Sequence, residues 1–153
     1  MLQILTGPLT TGHIGLNVTE LSRSIDFYSR VFGLQVQHES RQPGREFGLL
    51  TDGQRLVLTL WQQADKAFDK TGAGLHHLSF EVESSDIVYR AESELKKLGA
   101  TFLHDGVVAH SEGADSGGIF FADPDGNRLE IYAKSGIKGH PSATPHAPSC
   151  GFF

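Results

Sequence analysis

The sequence has little that would link the chain covalently or hold it in a membrane. Cys150 is the only cysteine among 153 residues, so no disulfide can form within the chain, and a reducing compartment is expected. No apolar run approaches the length that spans a bilayer, and the first residues do not combine a charged start with an apolar stretch of signal-peptide length. We therefore expect a cytoplasmic protein with no membrane partner.

Positive charge is also scarce. The formal net charge is −5, from 13 Lys and Arg against 18 Asp and Glu, and no basic cluster is present. Nucleic acids and anionic membrane surfaces both demand a basic face on their partner. Neither is expected as a partner of this chain. With 39% hydrophobic residues, the chain can instead bury one sizeable core, as a compact enzyme subunit requires.

The two halves of the sequence carry the same pattern. Each half opens with an alternating apolar run that begins at a histidine, His13 in one half and His77 in the other, and such alternation predicts a strand. A helical pattern follows in each half and stops at Gly33 and Gly99, where glycine permits a left-handed C-terminal cap. Tight Asp-Gly turns then lead into further strands. The order strand, helix and three strands predicts a duplicated α+β module.

The phase of residues along each strand assigns their side chains to opposite faces of the predicted sheets. The apolar residues must face the helices, so the residues between them face the open side. Two such sheets curling together would enclose a polar pocket, in which a few open-side residues could hold one divalent metal. The open-side residues include His13, Asn17, Val57, Thr59, Trp61, His77, Ser79, Glu81, Arg128, Glu130 and Tyr132.

Three segments of the chain resemble a known superfamily. HIGLNVTELSRSIDFYSRVFGL, GLHHLSFEV and FFADPDGNRLEIY are similar to the vicinal oxygen chelate superfamily, which includes glyoxalases, extradiol dioxygenases, fosfomycin-modifying enzymes and bleomycin-binding resistance proteins. The resemblance covers about residues 10 to 134. It implies a single domain over 1–134, built from βαβββ modules at about 10–62 and 74–134 that form open mixed-sheet barrels, and a Pro-, Ser- and Gly-rich tail over 135–153.

The resemblance also implies a set of metal ligands. Carried over by position, His13 and His77 match the ligands on the first strands, and Glu130 matches the carboxylate on the last strand. The fourth position, glutamate or glutamine in glyoxalase-type members, falls at Val57, which cannot bind a metal. Two imidazoles and one carboxylate leave positions open for substrate or dioxygen, a pattern associated with non-haem Fe(II). Fe(II) is thus favoured, with Mn(II) or Zn(II) as alternatives. His76, on the helix-facing side by phase, is expected to be packed or exposed.

Three further residues are candidates for a catalytic role. Arg128 and Tyr132 could bind a substrate oxygen or stabilise a developing negative charge; a surface ion pair and simple packing are their alternatives. His110 lies in a glycine-rich loop, 107–118, that is long enough to form part of a lid, and it could act as a general acid or base. In extradiol dioxygenases a histidine precedes the carboxylate ligand by about this distance, whereas their usual tyrosine is replaced here by Phe120. An exposed loop histidine is the alternative for His110.

Together with these residues, the resemblance implies a metal-dependent enzyme that chelates a small oxygenated organic substrate. A dioxygenase-like oxidoreductase is favoured, because valine at position 57 leaves a glyoxalase-type lyase or isomerase without its usual ligand. A metal-free protein that sequesters a ligand, as bleomycin-resistance members do, is a further alternative. A fosfomycin-type transferase would need a cation cluster, which Arg128 and Lys134 alone supply only weakly. Superfamily members of this size are usually homodimers, so a homodimer is expected, with modules that pair within or between chains.

The tail after Ala133 is expected to be mobile for the most part, because it has little apolar surface to offset the entropy of ordering. Phe152 and Phe153 are the exception in its composition. They could dock into an apolar groove and bring Cys150 or His146 toward the pocket.

Overall fold

The computed structural model describes residues 7–153, and the chain divides after Asp65 into two compact units. Each unit contains a strand, a helix and three further strands, so the predicted order is confirmed in both. The elements of unit one are β1 (Ile14–Asn17), α1 (Leu21–Phe32), β2 (Gln35–Ser40), β3 (Phe47–Thr51) and β4 (Leu56–Trp61). Those of unit two are β5 (Leu78–Val82), α2 (Ser85–Lys97), β6 (Val108–Ala109), β7 (Gly117–Ala122) and β8 (Arg128–Ala133), followed by a short 3₁₀ helix (Ser149–Gly151).

Each unit contains one open, four-stranded mixed sheet. The strand order is β1-β4-β3-β2 in unit one and β5-β8-β7-β6 in unit two. The first and last strands of each unit lie side by side and parallel, and the other neighbours are antiparallel. A parallel pair cannot be closed by a tight turn and needs a long connection, which the helix and two intervening strands provide. The predicted α+β class with duplicated βαβββ modules is therefore confirmed.

The ends of α1 follow from its flanking residues. The Glu20 carboxylate accepts hydrogen bonds from the backbone N–H groups of Ser22 and Arg23, at 2.8 and 2.7 Å, and so satisfies donors that have no partner within the helix. At the other end Gly33 adopts the left-handed conformation with φ 67°, as the sequence predicts. In α2 the cap is Leu98, and the left-handed glycine, Gly99, follows it. Within residues 7–153, none of the helices combines the length and the apolar character that crossing a bilayer requires.

The face predictions hold for most of the sheet residues. The helix-facing residues Leu58 and Leu60 of β4 and Leu129 and Ile131 of β8 are buried, whereas Leu56 is half-buried; Arg128 and Tyr132 are partly exposed. Thr59 differs from its neighbours on the open side, because it is buried. Its hydroxyl accepts a hydrogen bond from the Trp61 indole N–H at 3.0 Å. The buried apolar residues of the strands include Leu16, Leu50, Leu58, Leu60, Leu78, Ile119, Phe121, Leu129 and Ile131.

The segment after β8 packs on unit two instead of extending freely. The Ala109 N–H donates to the Pro141 carbonyl at 2.9 Å, and Ala109 also pairs with Ser142 as an isolated parallel bridge. Ile137 is fully buried. Backbone hydrogen bonds along the edge strand β6 are among the contacts of the tail, and hydrophobicity does not reveal them. Composition alone therefore favours a mobile tail, whereas the structure places this segment against the sheet edge.

Strand β7 depends on a glycine where two backbones come close. A Cβ atom added at Gly118 would overlap the Ile131 carbonyl oxygen and lie 2.7 Å from the Tyr132 Cα atom. Because both contacts are with backbone of β8, no side-chain movement can relieve them. We expect Gly118→Ala to lower the free energy of unfolding by roughly 2–4 kcal/mol, measured by urea denaturation. Gly12→Ala is the matched control, since nothing lies within 4 Å of its added Cβ. Equal stability of the two variants would contradict this account.

Candidate metal centre in unit two

The carboxylate of Glu130 is the centre of the polar cluster on the open face of the second sheet. Only 3% of this residue is exposed. Its Oε2 atom accepts a hydrogen bond from the Ser79 hydroxyl at 2.6 Å, and its Oε1 atom lies 2.6 Å from Nε2 of His110. Parallel pairing of β5 with β8 places Ser79 directly beside Glu130. Hydrogen bonds at both oxygens thus fix the orientation of the carboxylate.

His110 reaches Glu130 because of the hairpin between β6 and β7. The His110 N–H donates to the Ser116 carbonyl at 2.9 Å, and the ring Nδ1 lies 3.0 Å from the Ser116 hydroxyl. The predicted lid loop is therefore shorter than expected: most of 107–118 belongs to or borders the two strands, and only 111–115 connects them. His110 is partly buried against a candidate ligand, so the alternative of an exposed loop histidine does not describe it.

His77 immediately precedes β5 and is half-buried. Burial lowers the pKa of its imidazole, and the nearby Glu130 charge partly opposes this effect. The ring is therefore neutral at neutral pH, which is the form that binds a metal. His76 is exposed, as expected, and its Nδ1 lies 2.8 Å from Nδ1 of His77. Among the described residues no hydrogen bond engages Nε2 of His77, which leaves that nitrogen available.

Arg128 and Tyr132, the other two predicted catalytic residues, lie on either side of Glu130 along β8. Tyr132 donates its hydroxyl to the Glu81 carboxylate at 2.8 Å, and this hydrogen bond raises the pKa of Tyr132. Lys134 pairs with the same carboxylate at 3.0 Å. The Arg128 guanidinium forms no ion pair with any residue from 7 to 153. It lies over an aromatic ring, so the surface ion pair considered from the sequence is not observed.

That ring belongs to Phe152, which the tail carries onto the same face. The Arg128 guanidinium carbon is 4.6 Å from the Phe152 ring centroid, and the Phe152 ring stacks on His104 with centroids 5.2 Å apart. The ring also approaches His77 at 6.3 Å. Cys150 comes close enough to Glu130 that burial and the carboxylate charge raise the pKa of its thiol. The predicted docking of the C-terminal phenylalanines is thus observed for Phe152, whereas Phe153 is exposed.

The first-half members of the predicted site lie in unit one. His13 is exposed and immediately precedes β1, and Val57 is the second residue of β4. Within the described part of the chain, no three His, Cys, Asp or Glu side chains form a group that could hold a metal ion. The set of His13, His77 and Glu130 accordingly stays a prediction. What the structure brings together is Glu130 with Ser79 and His110, with His77 on the same face.

The donor set in unit two fits a divalent metal in its chemistry. A buried carboxylate is costly unless a cation or hydrogen bonds compensate for its lost hydration. Among the described residues, the only ion pair of Glu130 is with His110, and that pair is charged only when the imidazole is protonated. A divalent cation shared by Glu130 and the neutral His77 would supply the compensation directly. Carboxylate and imidazole are ligands that Fe(II), Mn(II) and Zn(II) all accept.

Two contributors to this face were not given a defined role by sequence reasoning. Ser79 was placed on the open face by its phase, but its pairing with Glu130 depends on the register of the parallel strands. Phe68 lies in the loop before β5, and its ring centroid is 5.7 Å from the Arg128 guanidinium. The sequence patterns do not indicate that it belongs to this face. Its backbone N–H donates to the Asp125 carbonyl at 2.9 Å. No local sequence signal indicates such a contact between distant loops.

Comparisons with known proteins agree with the duplicated βαβββ fold described above. A family model described as the Glyoxalase/Bleomycin resistance protein/Dioxygenase superfamily matches residues 10–131. The chain is 31% identical over 124 residues to a probable trivalent organoarsenical cleaving enzyme of Bacillus subtilis, with 80% of each protein covered. It is 30% identical over 125 residues to catechol-2,3-dioxygenase of the same species, where the match covers 80% of this chain but 40% of the relative. This chain thus spans about two fifths of that enzyme's length.

A solved structure agrees with these matches. The glyoxylase/bleomycin resistance protein/dioxygenase domain from Frankia sp. EAN1pec superposes with a TM-score of 0.70 at 27% identity. The superposition covers 88% of this chain and 96% of that chain.

Ser149 is the main polar anchor of the tail. It is fully buried, its hydroxyl donates to the Ala109 carbonyl and accepts from the Ala143 N–H at 3.0 Å. Ser149→Ala leaves the buried Ala109 carbonyl and the partly buried Ala143 N–H without their partner, so we expect the free energy of unfolding to fall by about 1–3 kcal/mol in chemical denaturation. Ser111→Ala, at an exposed site in the same unit, serves as the control. A loss no larger than that of the control would show that the tail is not anchored in this way.

Proposed function

Because the chain belongs to the Glyoxalase/Bleomycin resistance protein/Dioxygenase superfamily, we propose that it is a metal-dependent enzyme that chelates a small oxygenated substrate in a dioxygenase-like reaction. Members of this superfamily generally depend on a divalent metal. The proposed ligands are Glu130, His77 and, from the sequence, His13. Fe(II) is the favoured metal, because two imidazoles and one carboxylate form the facial set that non-haem iron oxygenases use.

The observation that carries this proposal is the burial of Glu130 beside His77. This carboxylate is only 3% exposed, and both of its oxygens are hydrogen-bonded. Burial and fixed orientation are properties expected of a metal ligand and not of a surface residue. The Ser79 hydroxyl and the His110 imidazole fix its rotamer. Outer hydrogen bonds of this kind orient ligands and adjust their basicity in metal sites.

The residues around the centre have separable tasks. A bound divalent ion would act as a Lewis acid that polarises two adjacent substrate oxygens and offers a position for dioxygen. Arg128 is a fixed positive charge, which favours the anionic form of a substrate beside the ion. His110 can hold or release a proton at Nε2, 2.6 Å from the Glu130 Oε1 atom. Tyr132 donates its hydroxyl to Glu81 of the neighbouring strand β5.

Val57 is the reason to favour a dioxygenase-like reaction over a lyase. It is the second residue of β4, at the position where glyoxalase-type members carry a metal-binding side chain. An isopropyl group offers no lone pair for a metal and no proton acceptor for an isomerisation. The three proposed ligands would leave positions for both a chelating substrate and dioxygen.

Metal binding tests the ligand set directly. We expect anaerobically purified protein to take up one Fe(II) per chain. We expect His13→Ala, His77→Ala and Glu130→Gln each to weaken this affinity beyond the roughly 10–100-fold that loss of an outer hydrogen bond causes. Glu83→Gln, at an exposed carboxylate, and His38→Ala, at an exposed histidine of β2, are matched controls. Metal content and anaerobic titration provide the measurement.

Two results would contradict the proposal. If the wild-type protein binds no divalent metal, the alternative function, a protein that sequesters a ligand without a metal, is favoured over the enzyme. If Glu130→Gln binds metal as well as Glu83→Gln does, the buried carboxylate is structural.

The role of His110 can be separated from that of the ligands. Because it contacts the Glu130 carboxylate and no substrate oxygen is yet assigned to it, we expect His110→Gln to lower metal affinity about 10–100-fold while the metal stoichiometry stays the same. Equilibrium titration against a competing chelator measures the change, with His38→Gln as control. If the metal affinity of His110→Gln equals that of the wild type, His110 does not position the Glu130 ligand.

A further inference from the structure

A second feature of unit two is a cavity beside Arg128 that is open to solvent and has a volume of about 640 Å³. Its walls come from the loop over residues 66–71, from Leu103 and Gly126, and from Phe152 of the tail. Its volume falls in the range of small-molecule sites. Arg128 is two residues before Glu130 on the same face of β8, so the cavity adjoins the candidate metal centre.

Positive charge dominates the lining of this cavity. Lys66, Lys70 and Arg128 all contribute to it, and none of the three forms an ion pair with another described residue. Asp69 is the one carboxylate in the lining. It accepts hydrogen bonds from the Thr71 N–H and hydroxyl at 2.9 and 2.7 Å, and these lower its pKa. Three cations around one engaged carboxylate, on a chain of net charge −5, form a local site for an anion.

Two phenyl rings give the cavity a second preference. The rings of Phe68 and Phe152 both face the Arg128 guanidinium, with their centroids 5.7 and 4.6 Å from it. Phe152 is fixed in turn by stacking on His104 at an interplanar angle of 16° and by an edge contact with Phe120 at 5.6 Å. The aromatic wall is therefore formed before any ligand arrives. A flat ring would gain offset or edge contacts there that an aliphatic group lacks.

We propose that this cavity binds an aromatic carboxylate. The ring lies against Phe68 and Phe152, and the carboxylate faces Lys66 and Lys70. This inference rests on the proposed function, because a substrate of this class would present further oxygens on its ring to the metal centre while its carboxylate is held by the lysines. Its binding does not require the metal. Failure of one proposal can therefore be told from failure of the other.

Three small probes separate the two preferences of the cavity. With the protein kept metal-free by a chelator, benzoate, cyclohexanecarboxylate and benzyl alcohol are titrated by ligand-detected NMR. We expect benzoate to bind at least about tenfold more tightly than either of the others, since only benzoate offers both a ring and a charge. Equal affinity for cyclohexanecarboxylate, or no measurable binding of benzoate, would overturn the proposal.

Variants locate the binding in this cavity. Lys66→Gln with Lys70→Gln should weaken benzoate binding about fivefold or more and leave benzyl alcohol unchanged. The matched control is Lys96→Gln with Lys97→Gln, which removes the same charge from surface ion pairs on α2. Phe152→Leu should reduce the preference for benzoate over cyclohexanecarboxylate. If the control pair weakens benzoate as much as the cavity pair, the effect is one of net charge and the site is wrong. If benzoate binds but the protein takes up no metal, the proposed metal centre is wrong and the proposed cavity site stands.

Discussion

The hydrogen-bonded burial of the Glu130 carboxylate is the constraint on which the arrangement of unit two depends. Ser79 can reach it only if β5 lies parallel to β8 in the observed register, and His110 only if the β6–β7 hairpin closes at Ser116. Both conditions are properties of the sheet, so the polar cluster and the fold are specified together. A one-residue slip of β8 would turn the carboxylate toward the helix and leave it without partners.

The tail stabilises the sheet edge and forms part of the site. Its backbone pairs with Ala109 on the edge strand β6, which would otherwise present unpaired groups to solvent. Ser149 fixes the end of this segment: its N–H donates to the His110 carbonyl and its own carbonyl accepts from His104, both at 2.8 Å. The Phe152 ring consequently arrives over Arg128 in a defined position. Edge protection and the shape of the cavity come from the same few residues.

Much of the fold could be predicted from the sequence, because alternation and helical periodicity are local signals. They identified both modules and placed Arg128, Glu130 and Tyr132 on one face. Contacts between distant residues could not be predicted in this way. The hydrogen bond from Ser149 to Ala109 joins residues 40 apart, and no propensity reports it. The length of the loop around His110 was overestimated for a related reason: the two-residue strand β6 is defined by its partner and not by its own composition.

The dependence of the cavity wall on Phe152 has a consequence for how such a protein can diverge. Substitutions in sheet strands risk the fold, as the close backbone approach at Gly118 illustrates. A change of ring size or polarity at position 152 would alter which molecules fit beside Arg128 and leave the strands untouched. Part of the proposed recognition thus depends on a segment outside the duplicated modules. Selection could change the side chain at position 152 without changing the strand that carries Glu130.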